Sequence, residues 1–283
     1  MPYREIIASA YDLGVEEEMA RLDSSPLCEA EHRLMLDLLD EYVPQGATVF
    51  DIGSGPGRYA EYLLKRHCHL GLVDLSVKSL DVFAQRIGCF AKERLMFSKV
   101  SCASSLDWIP SQTADAVLMM GPLYHLTNAR QRNQALAHAM RILKPGGKMI
   151  AVFLSPFPLL LNEKSQGHTP LFTECCAHHP GHQDEMVTHV VFQGYNVPQY
   201  RCWPYFAEKL LIDSGFETIC VKNIEGVASL YSSERLKNFA LPDQKKLLYL
   251  TLSATASDEQ MLGLTHQFVI VARTPQKEMI KNQ

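Results

Sequence analysis

The sequence predicts an α/β protein in which a doubly wound parallel sheet carries helices on both faces. Short β-branched segments alternate with amphipathic segments of about ten residues, a pattern typical of parallel strands joined by helical crossovers. A glycine-rich turn, Gly53-Ser-Gly-Pro-Gly57, separates one strand from the next helix, as in folds that bind a ligand at a helix N-terminus. The 283 residues are enough to bury a large core.

The elements follow from local patterns. The first forty residues are predicted to be helical, and Cys28 to Tyr42 places Leu34, Leu38 and Leu39 at helical spacing before Pro44-Gln-Gly46 ends the helix. Strands are predicted at Thr48–Ile52, Leu70–Val73, Leu95–Val100, Ala114–Met120, Lys148–Leu154, Phe216–Val221 and His266–Ala272. Helices are predicted at Gly57–Arg66, Ser76–Ile87, Ala129–Leu143, Tyr205–Ser214 and Pro242–Thr251.

These elements divide the chain into parts. We expect residues 1–46 to form a helical cap, and residues 47–154 and 203–275 to form the core. Residues 155–202 break the alternation and are rich in Pro, Gly, His and aromatic side chains, so we expect a lid or substrate insertion. Residues 276–283 are a tail.

Composition excludes several classes of protein. Hydrophobic residues make up 47% and charged residues 20%, which argues against a disordered or fibrous chain. The net charge of -4 lacks the footprint of a general nucleic-acid or anionic-membrane binder. The most apolar stretch, Ala151 to Leu161, is too short to cross a bilayer. The N-terminus lacks a signal-peptide pattern, and the eight cysteines form no disulfide framework. We therefore predict a cytoplasmic protein with reduced thiols.

Acidic residues at two strand ends indicate the ligand. Asp51 precedes the glycines, where a carboxylate repels a pyrophosphate but pairs with an ammonium group. Asp74 ends the next strand, where an acid accepts both hydroxyls of a ribose. The spacing Gly53, Gly55, Gly57 differs from G-x-G-x-x-G because Arg58 takes the place of the last glycine. Ammonium, ribose and adenine together point to S-adenosyl-L-methionine.

At this point the sequence resembles the class I S-adenosylmethionine-dependent methyltransferases, in the branch acting on small molecules. The resemblance is carried, in the family's order, by Asp51-Ile-Gly-Ser-Gly-Pro-Gly57, Leu72-Val-Asp-Leu-Ser76, Ala114-Asp-Ala-Val-Leu118, Gly121-Pro-Leu-Tyr-His-Leu126, Leu143-Lys-Pro-Gly-Gly147 and Ser214-Gly-Phe216. It implies a Rossmann-like sheet of seven strands, with the last strand antiparallel, and a cap helix near Tyr11 that covers the cofactor.

The resemblance also implies cofactor contacts. Asp51 and the three glycines match the site for the methionine end, and Asp74 matches the ribose-binding acid. Leu75 matches the residue beside adenine, and Met120 matches the position beside the methionyl arm. Cys102-Ala103 stands where many relatives have an acid that receives the adenine amine. A thiol is a poor acceptor, so the sequence leaves the contact to the adenine amine open, with a carbonyl or a water as the alternatives to Cys102. Arg58 is assigned either to the cofactor carboxylate or to solvent.

For the acceptor side, His125 is the candidate general base. It follows the fourth strand at the carboxyl edge of the sheet, where open α/β sheets bind ligands, and its ordinary pKa suits proton abstraction at neutral pH. The alternative is a histidine that shapes the pocket, because an activated sulfonium donor needs mainly alignment. Tyr11, Tyr124 and Tyr200 are the other expected substrate contacts.

Two further features have competing interpretations. Cys175 and Cys176 lie near histidines with ligand-like separations (His178 and His182), but Pro180-Gly181 interrupts them, so we predict no metal and a loop that is solvated or lines the substrate site. Glu16, Glu17 and Glu18 are an acidic helix face. Arg21 either reaches the cofactor or pairs with these acids.

The predicted function is therefore methyl transfer to a small molecule, by in-line displacement, with S-adenosyl-L-homocysteine as product. One alternative is a non-catalytic module that binds the cofactor, which Cys102 favours. The other is a nicotinamide-dependent oxidoreductase, which Asp51 and the glycine spacing disfavour. No nucleic-acid or membrane partner is expected, and the sequence leaves the acceptor and the oligomeric state open.

Overall fold

The computed structural model describes residues 3–88, 92–156, 185–226, 228, 236 and 239–276. Its α-helices are α1 (Tyr3–Leu13), α2 (Val15–Arg21), α3 (Pro26–Tyr42), α4 (Arg58–Lys65), α5 (Val77–Arg86), α6 (Pro122–His125), α7 (Ala129–Ile142), α8 (Pro204–Asp213) and α9 (Pro242–Thr255). Its strands are β1 (Thr48–Ile52), β2 (His69–Asp74), β3 (Leu95–Val100), β4 (Ala114–Met119), β5 (Leu143–Leu154), β6 (Glu185–Phe192), β7 (Tyr195–Cys202), β8 (Glu217–Asn223) and β9 (Gln267–Arg273).

Seven strands form one sheet in the order β3-β2-β1-β4-β5-β9-β8. The first five strands in this order pair parallel with one another, and β9 runs antiparallel to both β5 and β8. The predicted seven-stranded doubly wound sheet with an antiparallel last strand is confirmed. From β1 the chain adds β2 and β3 on one side and then returns to add β4 and β5 on the other side. The boundary between β1 and β4 is therefore the topological switch point, where such sheets open a crevice for ligands.

The core lies on both faces of the sheet. In β1, Val49 packs in one buried cluster and Phe50 in the other, because successive strand side chains point to opposite faces. Central strands buried on both faces explain the continuous apolar runs that made them recognisable in the sequence.

Helix starts follow from capping side chains. Ser25 accepts a hydrogen bond from the Cys28 backbone N–H at the start of α3, and Asn128 accepts from Arg130 at the start of α7. Such caps satisfy N–H groups that have no partner inside the helix.

The region 155–202 contains a β-hairpin that sequence analysis missed. β6 and β7 pair antiparallel around Gln193 and Gly194, whose φ angles of 51° and 78° are both positive, as a tight two-residue hairpin turn requires. The β-branched run before Gln193-Gly194 was the available signal. Residues 157–184, the middle part of the predicted lid, lie outside the described residues, and so do the cysteine and histidine positions 168, 175, 176, 178, 179 and 182.

Polar contacts hold helix α1 against the turn that joins the carboxyl end of β2 to α5. Asp12 accepts hydrogen bonds from the Ser76 hydroxyl at 2.6 Å and the Lys78 backbone N–H at 3.1 Å, which attaches α1 to the start of α5. The hairpin packs on the other side of α1, where Ile7 and Ala10 bury against Val197. The helical segment therefore lies over the carboxyl ends of the strands.

Other helix and strand boundaries differ by a few residues from those predicted from the sequence. β5 begins at Leu143 rather than Lys148, because Leu143 pairs with Ala114 before a register shift. Helix α9 continues to Thr255. Within the described residues, no helix has both the length and the apolar character needed to cross a membrane. The predicted tail is outside the described residues from 277 onward.

Candidate functional site

A cavity opens at the switch point, between the carboxyl ends of β1, β2 and β4 and the N-terminal helices. Its described walls include nine of the ten residues predicted to bind the cofactor: Asp51, Gly53, Gly55, Arg58, Asp74, Leu75, Cys102, Ala103 and Met120. Three of the four predicted substrate contacts also lie on these walls: Tyr11, Tyr124 and His125.

The glycine loop is held open toward this cavity. The backbone N–H groups of Gly53 and Ser54 donate to the Val73 carbonyl at 2.7 and 3.1 Å, which fixes the loop to the end of β2. Gly55 has a φ of +53°, and a Cβ built there meets no atom within 4 Å. Because Gly55 lines the cavity, a side chain at this position would occupy ligand space.

Asp51 is a buried carboxylate beside this loop. The residue is 2% exposed, and no hydrogen bond or ion pair joins its carboxylate to another described residue. Burial, with a smaller contribution from nearby Asp74, raises the pKa of Asp51 to about 7. An isolated buried carboxylate is costly, so this position favours a ligand that brings a positive charge, as the ammonium group of S-adenosylmethionine does.

Asp74 is oriented by the backbone. Its Oδ2 accepts from the Gly55 N–H at 2.7 Å, and its Oδ1 accepts from the Ser76 N–H at 2.8 Å. Burial raises the pKa of Asp74, and these backbone N–H groups lower it. Each carboxylate oxygen retains capacity for a second hydrogen bond, which fits the two hydroxyls of a ribose.

The adjoining part of the cavity is an apolar slot. Leu75 and Ala103 form it together with Tyr3 and Ile7 from α1. Cys102 also lies on the wall, and its Sγ is 3.3 Å from the Ser104 hydroxyl, which itself accepts from Arg4 at 2.9 Å. The slot suits a flat heteroaromatic ring such as adenine. Taken together, the carboxylates of Asp51 and Asp74 and the apolar slot fit the ammonium, ribose and adenine groups of S-adenosylmethionine.

Tyr11 and His125 meet on the cavity wall. The Tyr11 hydroxyl and His125 Nε2 are 2.8 Å apart, and His125 Nδ1 is 3.3 Å from the Pro198 carbonyl. Burial lowers the pKa of His125 to about 4 and raises that of Tyr11, so both are neutral at pH 7. A neutral imidazole with Nδ1–H donating to the carbonyl accepts from the Tyr11 hydroxyl at Nε2.

The two arginines near the glycine loop are engaged by acids. Arg58 donates to both oxygens of Asp23, at 2.6 and 3.0 Å, although it remains on the cavity wall. Arg21 donates to Glu18 at 2.9 Å and lies 3.5 Å from Glu31. Arg21 therefore pairs with the acidic run, which is one of the two alternatives from the sequence, and it also lines the cavity.

Two predicted residues lie elsewhere. Gly57 is the left-handed cap residue of α4 and is not on the described cavity wall. Tyr200 is 2% exposed and packs against the Arg132 guanidinium, whose carbon is 3.5 Å from the ring centre. Arg132 in turn donates to the carbonyls of Leu126 and Thr127. Through Arg132, Tyr200 supports the turn that follows His125, and it is not on the described cavity wall; its predicted contact with the substrate stays a prediction.

Sequence analysis missed Glu31 and Tyr59, which also line the cavity. A signal for Glu31 was present: it precedes Leu34 by three residues and shares the buried face of α3 with Leu34 and Leu38. A charged residue on an apolar helix face calls for a partner or a function. No cluster of three or more potential metal ligands exists within the described part of the chain.

Comparisons with known proteins agree with this geometry. Residues 49–147 match the family model described as a methyltransferase domain. A search of solved structures finds phosphoethanolamine N-methyltransferase 2 of Haemonchus contortus in complex with phosphomonomethylethanolamine and S-adenosylhomocysteine. That structure has a TM-score of 0.62 and 17% identity, over 98% of this chain and 61% of that chain, which shows the fold.

Two curated relatives match part of the chain. The S-adenosyl-L-methionine-dependent Diels-Alderase iccD of Talaromyces variabilis is 30% identical over 47% of this chain and 44% of its own length. The tRNA (carboxymethyluridine(34)-5-O)-methyltransferase ALKBH8 of Mus musculus is 25% identical over 44% of this chain and 17% of its own length. The chain thus spans less than half of the length of these relatives. The motifs, the sheet order and the family match together support a class I S-adenosylmethionine-dependent methyltransferase domain over residues 49–147 of this chain.

Proposed function

We propose that this protein transfers a methyl group from S-adenosyl-L-methionine to a small-molecule acceptor and releases S-adenosyl-L-homocysteine. The observation that carries the proposal is Asp51, a buried carboxylate without a partner among the described residues, facing a cavity whose next strand presents Asp74. A ligand with a cation for Asp51 and a diol for Asp74 matches the methionine and ribose parts of the donor.

In this proposal each wall of the cavity has a separate task. Asp51 pairs with the ammonium group, and the Gly53 to Gly55 backbone leaves room for the methionyl arm beside Met120. Asp74 accepts the ribose hydroxyls, and Leu75 and Ala103 enclose the adenine. When bound, the donor supplies an electrophilic methyl group on a positively charged sulfur.

The Tyr11–His125 pair then positions the acceptor. The Tyr11 oxygen still accepts one hydrogen bond while its own proton is donated to His125. Protonating an imidazole whose pKa is about 4 costs about 4 kcal/mol at pH 7, at 1.36 kcal/mol per unit. The predicted base role of His125 is therefore unfavourable, and its alternative role in shaping the pocket is favoured.

The covering helices favour a small acceptor. Helices α1 and α2 lie over the cavity, and the contacts of Asp12 and Arg58 hold them against the sheet. A polynucleotide would have to displace them, and the net charge of -4 provides no general attraction to it. The cytoplasmic location with reduced thiols stays a prediction from the sequence.

A second candidate keeps the cofactor but not the transfer. The 30% identity to a Diels-Alderase that depends on S-adenosyl-L-methionine supports a protein that binds the cofactor while catalysing a cycloaddition instead of methyl transfer. The non-catalytic alternative from the sequence shares one expectation with this candidate, since both predict cofactor binding with no methyl product. The oxidoreductase alternative is disfavoured, because Asp51 would lie buried beside a pyrophosphate.

The test has two stages. Calorimetric titration with S-adenosyl-L-homocysteine, with NADH as the control, should give micromolar binding of the first alone. Binding of NADH instead would overturn the cofactor assignment. Donor carrying a labelled methyl group is then incubated with metabolite, RNA and protein fractions. Label in the metabolite fraction supports the proposal, label in RNA or protein contradicts the acceptor class, and no label with retained cofactor binding supports the second candidate.

A further inference from the structure

Glu31 is a buried acid on the cavity wall to which the proposed function assigns no contact with the donor. It lies in the second turn of α3 and is 4% exposed, and α3 packs against α9 and the sheet rather than against the adenosine slot. Keeping a carboxylate at such a position is unfavourable unless it meets a partner.

Arg21 neutralises Glu31 only in part. The Arg21 Nη1 atom is 3.5 Å from Glu31, whereas its Nε is 2.9 Å from Glu18. One guanidinium is thus shared by two carboxylates, and the group of three carries a net negative charge toward the cavity when both acids are ionised. Burial raises the pKa of Glu31, nearby Glu225 raises it further, and Arg21 and His266 lower it.

Two tyrosines complete this corner. Tyr59 from α4 and Tyr124 from α6 both line the cavity, and Glu31 lies close enough to raise the pKa of each phenol. Both residues are partly exposed, and both are part of the cavity wall. Tyrosine rings beside a carboxylate favour a cation over an anion.

The other cavity acids are already committed. Asp51 and Asp74 serve the donor in the proposed function, and Glu18 is the closer partner of Arg21. Among the described residues of the wall, Glu31 is the carboxylate left for the acceptor.

We propose that Glu31 binds the acceptor and that the acceptor is an amine, which enters as an ammonium ion. This inference rests on the proposed function and names its substrate class. Glu31 takes one proton from the ammonium nitrogen. The freed lone pair forms the N–C bond to the donor methyl as the C–S bond breaks, and sulfur keeps the electron pair. The products are the methylated ammonium ion, neutral thioether and protonated Glu31, which returns its proton to solvent.

The test measures binding rather than turnover. Protein saturated with S-adenosyl-L-homocysteine is titrated by calorimetry at pH 8 with benzylamine, benzyl alcohol and benzoate, which differ in charge on one aromatic frame. We expect benzylamine to bind at least tenfold tighter than benzyl alcohol, and Glu31→Gln to reduce that ratio to about one. Glu29→Gln is the matched control, because Glu29 lies on the same helix but pairs with Lys245; it should keep the ratio.

The outcomes separate this inference from the proposed function. Tightest binding of benzoate, equal or undetectable binding of benzylamine, or an unchanged preference in Glu31→Gln would overturn the amine assignment. If Glu31→Gln does not fold, Glu31→Asp keeps the charge and should retain the preference with weaker binding; loss of preference there also counts against it. Failure of the proposed function appears separately, as wild-type protein that does not bind S-adenosyl-L-homocysteine, or that binds it but yields no labelled methyl product in the two-stage test above.

Discussion

Replacing Asp51 by Asn should stabilise the ligand-free protein and weaken cofactor binding. Burial raises the pKa of Asp51 from 3.8 to about 7. Between these values the folded state holds a proton that the unfolded state has lost, so the unfolding free energy falls as pH rises. Three pKa units correspond to at most about 4 kcal/mol. Asn resembles the protonated acid, and the variant should gain up to this amount at pH 8 and almost nothing at pH 4.

Urea unfolding at pH 4 and pH 8, with and without S-adenosyl-L-homocysteine, measures this effect. With ligand present the order should reverse, because the ammonium group restores a partner to Asp51 and the variant should bind at least tenfold more weakly. Asp81→Asn, at an exposed position on α5, is the control and should change neither quantity. If Asp51→Asn were equally destabilising at both pH values, or bound the ligand like the wild type, the unpaired-carboxylate argument would be wrong.

Further substitutions test the other walls. Asp74→Ala and Gly55→Val should each weaken binding of S-adenosyl-L-homocysteine at least tenfold, about 1.4 kcal/mol, by calorimetry; unchanged affinity in folded protein would reject the cofactor placement. His125→Ala should leave that affinity intact but lower turnover, and wild-type turnover would remove any role for His125 in the reaction. Because burial holds the pKa of His125 near 4, wild-type turnover should show no decline due to His125 protonation between pH 8 and pH 6. Tyr11→Phe removes the donor to His125 and should lower turnover by a similar factor; a much smaller effect would show that the pair does not act as a unit.

The parallel core was readable because its strands are buried on both faces. Such strands appear as short continuous apolar runs, whereas in the helices between them the apolar residues recur every three to four positions. The hairpin of β6 and β7 was missed because one of its faces packs on α1 while the other carries exposed residues such as Val191, so its pattern depends on a partner that is distant in sequence.

The site shows the same division. The sequence by itself determined the sheet, the glycine loop and the acids at Asp51 and Asp74, because each depends on residues adjacent along one strand and turn. Only the tertiary structure decided that His125 is neutral, that Tyr200 supports a turn through Arg132, and that Glu31 lines the cavity. Those properties come from burial and from partners supplied by separate segments: Tyr11 and Pro198 for His125, and Arg21 for Glu31. Desolvation and long-range contacts exist only once the chain has folded, so no local pattern can contain them.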